Sequence, residues 1–188
     1  MHRVLYMLNK PYGILSQHSD EGSKSGWGRL NPPFGSDVYS IGRLDADSEG
    51  LLLFTNDNAF KTRMLDPAYG HLRTYHAQVE GVSSPEQLRQ LEQPIELRVK
   101  GKAFMTRGCR ARVIEPVWPA RNPPIRERAS IPDSWIELAL DEGKNRQVRR
   151  MTAAVGLPTL RLIRVAMASF TLGDLQPGAW RQLTFPHL

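Results

Sequence analysis

The sequence predicts an α+β fold built from many short strands, mostly in antiparallel hairpin-like succession, and few helices. Three observations point there. Alternating or apolar runs of four to eight residues, bounded by Gly, Pro, Asn and Asp, recur from Val4 to Thr184. Only three stretches, after Asp57, Ser84 and Asn145, carry helical start and stop signals. No strand–helix–strand rhythm dominates and no Gly-rich phosphate loop is present, which argues against nucleotide triphosphatases and dinucleotide enzymes. There is no internal repeat and no low-complexity tract.

Each element follows from local chemistry. Val4–Leu8 reads as a strand that Pro11 and Gly13 end. Residues 16–37, rich in Ser, Gly, Asp and Pro, read as a loop or short irregular helix anchored by Trp27 and Phe34. Val38–Arg43 and Leu51–Thr55 read as strands, and Asn58–Leu65 as a helix stopped before Pro67. Tyr75–Glu80 is a strand. Ser84 with Pro85 and Gln87 forms a helix start, and the helix should bury Leu88 and Leu91 and run to about Gln93. Ile95–Val99 and the run from Phe104 flank a Lys100-Gly101 turn, and Arg110–Glu115 alternates as a half-exposed strand does. The stretch from Pro116 to Pro132 is an extended loop with Arg121, Arg126 and Arg128, too long for a mere connector. Ser134–Asp141 alternates as a strand, with Ile136, Leu138 and Leu140 on one face. Asn145 is the expected cap of a helix Arg146–Val155, ended by Gly156 and Pro158. Val148, Met151, Thr152 and Val155 make its apolar stripe, and Arg146, Arg149 and Arg150 lie beside it. Leu160–Val165, Ser169–Leu172 and Trp180–Thr184 are the last strands.

Composition narrows the function. The 188 residues suffice for one substantial domain or two intimately packed subdomains. The single Cys109 rules out an intrachain disulfide framework and fits a reducing compartment. No apolar run approaches the ~20 residues of a membrane span, and the N-terminus lacks the length and cleavage site of a signal peptide. A cytoplasmic protein, likened to neither a membrane nor a secreted type, is the expectation. Net charge is +6 and the pI about 9.8. Between Arg98 and Arg150 stand 13 Lys and Arg against 6 Asp and Glu, so the basic excess sits in one region. That asymmetry points to a polyanion, most often nucleic acid.

The most unusual stretch is Ser40 to Asp57. Between its two apolar flanks lie Arg43, Asp45, Asp47 and Glu49, charges that persist near a core only when solvated, paired or bound. Asp45, Asp47, Glu49 and Gly50 occupy the first, third, fifth and sixth places of a calcium loop. However, the twelfth place holds Asn56, the ninth holds Leu53 and no helix precedes, so the pattern fails as one. The five His show no metal-ligand spacing, no G-x-S-x-G elbow exists, and Cys109 has no nearby His pattern. What remains is a carboxylate at Asp45, the Arg-rich helix after Asn145, and Tyr75 at a strand start. A carboxylate with an Arg and an aromatic ring suits a site that holds a flipped base and attacks a sugar carbon. A non-catalytic RNA-binding module, or a metal-dependent hydrolase using Asp45, Asp47 and Glu49, remain as alternatives.

Three ordered motifs carry a resemblance. Gly42-Arg43-Leu44-Asp45-Ala46-Asp47-Ser48-Glu49-Gly50-Leu51-Leu52 resembles the signature of a family of ribosomal RNA pseudouridine synthases. Asn9-Lys10-Pro11-Tyr12-Gly13 resembles its N-terminal Lys-Pro motif, and Glu142-Gly143-Lys144-Asn145-Arg146-Gln147-Val148-Arg149-Arg150-Met151 its C-terminal motif. The likeness runs from about Tyr6 to the last strands. The loop from Trp118 to Arg128, with Ser134-Trp135, looks like a large-subunit branch of that family that lacks an S4 RNA-binding domain.

The resemblance implies a fold, a reaction and roles. The fold is a long, mixed, mostly antiparallel sheet in two subdomains, roughly 1–70 and 71–188, with a central catalytic cleft, all of 1–188 forming one catalytic domain. The reaction detaches uracil from C1′ of a uridine, rotates it and rejoins it through C5, with no cofactor and no metal. Asp45 would be the catalytic carboxylate and Arg149 its partner, and Tyr75 would stack on the base and serve in proton removal from C5. Arg43 would sit beside the flipped nucleotide. Leu44, Val148, Arg146, Arg150, Arg126 and Arg128 are the further expected substrate and RNA contacts. Asp47 and Glu49 are expected to shape the loop, and Lys10-Pro11 to buttress it. The segment Arg73-Thr74-Tyr75-His76-Ala77 departs from the family's usual Lys before the Tyr, and Arg73 keeps that charge without its shape. The partner would be large-subunit ribosomal RNA or its assembly intermediate, and the protein a monomer.

Overall fold

A computed structural model describes residues 2–99, 101–115, 118–125 and 131–185. Its strands and helices are, in order, β1 (Leu5–Lys10), β2 (Tyr39–Ser40), β3 (Glu49–Thr55), α1 (Asn58–Leu65), β4 (Arg73–Glu80), α2 (Pro85–Glu92), β5 (Glu96–Val99), β6 (Lys102–Met105), β7 (Arg110–Ile114), β8 (Asp133–Leu140), α3 (Gln147–Ala154), β9 (Thr159–Met167), β10 (Phe170–Thr171) and β11 (Trp180–Leu183). The fold is α+β, with a large, mostly antiparallel sheet and few helices. Two compact units divide the chain: Met1–His71 with Arg164–Leu188, and Leu72–Ile163. Strand β9 gives its first residues to the second unit and its last to the first.

In the first unit, β3 is buried along its whole length, as its continuous apolar run Leu51 to Phe54 demands. It pairs antiparallel with β1, Leu5 opposite Thr55 through Lys10 opposite Gly50. Strand β11 lies on the other edge of β1, from Leu5 opposite Leu183 to Leu8 opposite Trp180. That pairing draws the C-terminal segment into this unit, whereas the sequence reading assigned all of 71–188 to a second subdomain. Long-range strand pairing leaves no local signature, so the difference is one of topology. Helix α1 spans the expected residues; the Asp57 carboxylate caps it by accepting from the Phe60 N–H at 2.9 Å, and Phe60 and Met64 turn inward one turn apart. Trp27 opens a 3-10 turn, Trp27–Leu30, and with Phe34 joins a ring cluster: Tyr6–Phe34 centroids at 4.5 Å, Phe34–Phe54 at 4.9 Å and Trp27–Phe54 at 5.0 Å. These contacts fasten the long polar loop to β3.

Two boundaries differ from expectation here. Strand β1 continues through Lys10, one residue from Pro11. The strand expected over Val38–Arg43 keeps ladder pairing only at Tyr39–Ser40. Gly42 takes φ +74, a left-handed turn that leads the chain out of the ladder.

In the second unit, β8 runs between β4 and β7, antiparallel to both. Ala77, Val79, Ile136, Leu138 and Leu140 of the sheet close on Leu91 of α2, Val148 and Met151 of α3, and Leu97, Leu157 and Leu162. Helix α2 starts at the expected capping box: Ser84 accepts from the Gln87 N–H, and the Gln87 side chain accepts from the Ser84 N–H. Leu91 is fully buried and Leu88 packs at the edge. Strands β5 and β6 form their own hairpin. Helix α3 starts differently from the sequence reading. Arg146, not Asn145, holds the cap position, at φ 50 in the left-handed region, and no side chain caps the end. Instead Gln147 reaches back, its Oε1 accepting from the Lys144 N–H at 2.9 Å and its Nε2 donating to Glu142 Oε1 at 2.5 Å.

Candidate active site

In the first unit the acidic stretch becomes a loop, residues 41–48, tied down at several backbone positions. The Ile41 N–H donates to Leu53 O at 2.7 Å and the Ser48 N–H to Asp45 O at 3.0 Å. The Gly13 N–H reaches Ala46 O at 2.7 Å. Buried Ser16 grips Leu44 from both sides, its hydroxyl donating to Leu44 O at 2.7 Å and accepting from the Leu44 N–H at 2.8 Å. Asp45 follows directly, half-buried, with Arg43 exposed before it. The loop thus holds a carboxylate on a backbone fixed at 41, 44, 46 and 48.

A buried cation serves this loop. Lys10 is fully buried, its Nζ donating to Pro11 O at 3.0 Å and Ile14 O at 2.6 Å. Burial brings its pKa down from 10.5 to about 8, against the opposing pull of Glu49, Asp47 and Asp45 and with a smaller push from Arg164. Glu49 is buried too, and Arg164, also buried, donates from Nε to Leu51 O at 2.8 Å. The acidic loop therefore sits over interior cations that balance it. Arg43, Leu44 and Asp45 come together as the sequence placed them, but the Leu44 side chain turns into the interior, where RNA contact was expected of it.

The remaining candidates belong to the second unit. Tyr75 stands on β4 opposite Leu138 and packs against the core. Arg149, half-buried on α3, donates from Nη1 to Thr159 O at 3.3 Å. Val148, expected at the RNA, is a core residue on the apolar stripe. Arg150 donates to Asn145 O at 3.3 Å and Arg98 O at 2.8 Å, tying α3 to β5. Arg146 is exposed at the helix start. Arg73 donates to Asp141 O at 3.3 Å. Arg126 and Arg128 lie outside the described residues.

Other chemistries find little here. The Cys109 thiol is pushed up to about 12 by burial and by Glu92, which keeps it from acting as a thiolate. Among the described residues no group of three His, Cys, Asp or Glu side chains is placed to hold a metal ion, and no helix is long and apolar enough to cross a membrane. Sequence reasoning missed Ser16, one hydroxyl among several in a polar loop. Its only signal was position, three residues beyond the Lys-Pro motif it works with.

Comparison with known proteins fits this geometry. Residues 4–154 match the model of the family described as RNA pseudouridylate synthase. The chain is 47% identical over 186 residues to ribosomal large subunit pseudouridine synthase E of Xanthomonas campestris, covering 95% of this chain and 94% of that protein. It is 43% identical to the protein of the same name from Vibrio parahaemolyticus, covering 97% and 74%. A crystal structure described as pseudouridylate synthase superposes with a TM-score of 0.80 at 25% identity, over 97% of this chain and 71% of that one. The aspartate loop on its buried lysine, the strand-rich fold and these likenesses agree: the chain belongs to the RNA pseudouridylate synthase family, whose members are isomerases.

Proposed function

We propose that this protein converts a specific uridine of large-subunit ribosomal RNA to pseudouridine, with Asp45 as the catalytic carboxylate. The C1′–N1 bond breaks, the freed uracil turns, a C1′–C5 bond forms, C5 gives its proton to solvent and N1 takes one up. Tyr75 stacks on the uracil and serves in removing the C5 proton, Arg149 acts as the catalytic cation, and Arg43 lies beside the extruded nucleotide. Arg146 and the basic loop with Arg126 and Arg128 contact phosphates. Arg150, held by two carbonyls, has only its remaining N–H groups for that purpose. The enzyme works without cofactor, as a monomeric single catalytic domain in the cytoplasm.

The observation that carries this reading is the rigid mount of Asp45. The fold's contribution is aim, given by Ser16 and Gly13 on the flanking backbone. The large-subunit target is supported by the names of the relatives at 43–47% identity. The test uses a transcript of large-subunit ribosomal RNA tritiated at uracil C5. Wild type should release tritium, and Asp45→Asn should release none above background while folding normally by circular dichroism. Equal release from both proteins would remove Asp45 from the chemistry.

A further inference from the structure

One face of the second unit's sheet packs on the core, and the other carries a chain of polar groups with no part in the roles above. Strand register places His76 of β4 opposite Glu137 of β8, and Glu137 opposite Arg112 of β7. Arg112 Nε donates to Glu137 Oε1 at 2.7 Å, and His76 Nε2 lies 3.1 Å from Oε2 of the same carboxylate. The other ring nitrogen, Nδ1, receives the indole N–H of Trp118 at 2.9 Å. One residue on, Arg161 of β9 donates from Nη1 to Pro119 O at 2.7 Å while its guanidinium lies 6.0 Å from the Trp135 ring centre. Two side chains of the sheet therefore pin the start of segment 118–125. Arg121 then folds that segment on itself, donating to Pro123 O and Pro124 O at 2.8 and 3.2 Å.

The chemistry of the row fixes its protonation. An indole nitrogen only donates, so His76 Nδ1 must be bare and Nε2 must carry the proton it gives to Glu137. A second proton on Nδ1 would face the indole N–H and release Trp118. Burial, the largest influence, and Arg112 both hold the imidazole below its ordinary pKa, with Glu137 opposing. The charged groups facing the ring are thus Glu137 from β8 and Arg112 from β7. Beside the row, Arg110 is exposed on the same face, two residues along β7. The same face also carries Glu80 and Asp133, paired at the far end of the β4–β8 ladder, so its exposed basic part is the β7 edge with Arg110 and Arg112, and that edge suits a phosphodiester backbone.

We propose that segment 118–125 and the adjoining Arg110–Arg112 edge form a docking surface for the substrate RNA outside the modified nucleotide, with neutral His76 as the positioning residue that latches Trp118. The surface rests on the proposed function, because it presumes an RNA substrate; the latch does not. Unlatching should loosen the segment and weaken RNA capture without touching the reacting atoms.

The test compares wild type with Trp118→Phe, His76→Phe and Arg110→Ala on the tritiated large-subunit transcript. Trp118→Phe keeps the ring and loses the donor. It should raise KM about fivefold, the scale of one lost hydrogen bond, with kcat within about twofold. His76→Phe should match it. Arg110→Ala should lower the log–log salt slope of transcript binding by about 0.7–0.9, one phosphate contact. In nitrogen-15 spectra the Trp118 indole N–H, identified by its loss in Trp118→Phe, should shift with a midpoint below 6.5, the same midpoint as the His76 ring. Trp118→Phe should raise that His76 midpoint. Unchanged KM and salt slope in all three variants, with wild type active, would overturn the docking surface and leave the face to another partner. An indole resonance indifferent to His76 protonation would overturn the latch. Absence of tritium release by wild type would instead strike the proposed function, and the indole titration would still decide the latch.

Discussion

The two units handle charge in opposite ways. The first places charge inside: Lys10, Glu49 and Arg164 are all buried around the strand that follows the Asp45 loop. The second keeps an apolar core, Ala77 to Leu162, and lays its charges across the far face of the sheet, in the row Arg112–Glu137–His76 and at Arg161, which is buried there against Pro119 and Trp135. Buried ions are costly unless matched, and breaking a match leaves one charge stranded. Surface rows cost little and yield little. The contrast suits the two tasks proposed above. A carboxylate that must attack or accept at one atom needs a mount that cannot drift. A surface that receives a flexible polyanion needs charge, hydration and some give.

The largest break in this comparison should come from the first unit's backbone. Gly50 sits in β3 at φ +101, and a Cβ there would overlap the carbonyl oxygen of Arg164 on β9. Both faults fall on backbone, which cannot swing aside. Gly50→Ala should destabilise by about 4 kcal/mol or more, read as a loss of urea midpoint or a failure to fold. A variant with wild-type midpoint would mean that the two strands separate at little cost, contrary to a rigid mount.

The next effect is a pH dependence. Lys10 falls from 10.5 unfolded to about 8 folded. Between those values the unfolded chain holds more protons, so stability rises with pH through that window. Below about 8 the buried ammonium costs about 3 kcal/mol relative to a neutral amine. Cys109 works against it. Its thiol rises from 9.0 to about 12, so the unfolded chain loses that proton first and stability falls as pH climbs past 9. In a Cys109→Ala background the urea midpoint should therefore rise from pH 8 to 10, and Lys10→Met added to it should flatten the curve. A flat curve with Lys10 present would place its pKa near the ordinary value and remove the buried cation from beneath the loop.

How far the sequence could be read follows the same division. Local signals were legible: Asn58–Leu65 appeared as a helix at its observed bounds, and Ser84, Pro85 and Gln87 announced α2 together with the capping box that forms. The strand–loop–strand around Asp45 was legible because acids between apolar runs have few places to go. What escaped depends on distant neighbours. Strand β2 is short because Gly42 turns left-handed, which any Gly permits and none requires. Asn145 has the chemistry of a helix cap, but Gln147 fastens the end by reaching to Lys144 and Glu142. The return of β11 to β1 across more than 170 positions of sequence, and the grip of Ser16 on Leu44, leave no periodicity to detect.

The smaller effects test the second unit. Ser84→Ala removes the acceptor for the Gln87 N–H at the start of α2 and should cost about 1 kcal/mol, with no effect on tritium release. Arg112→Gln should cost least. Its guanidinium is 70% exposed although it touches Glu137 at 2.7 Å, so solvent screens most of what the contact gains. The urea midpoint should move little, and salt should erase the difference. A clear fall in urea midpoint on Arg112→Gln, persisting at 0.5 M salt on the order of a 4–5 Å screening length, would mean that the row behaves as a buried network. The second unit would then be holding its charges as the first does, and the sheet face would be structural before it was a surface for RNA.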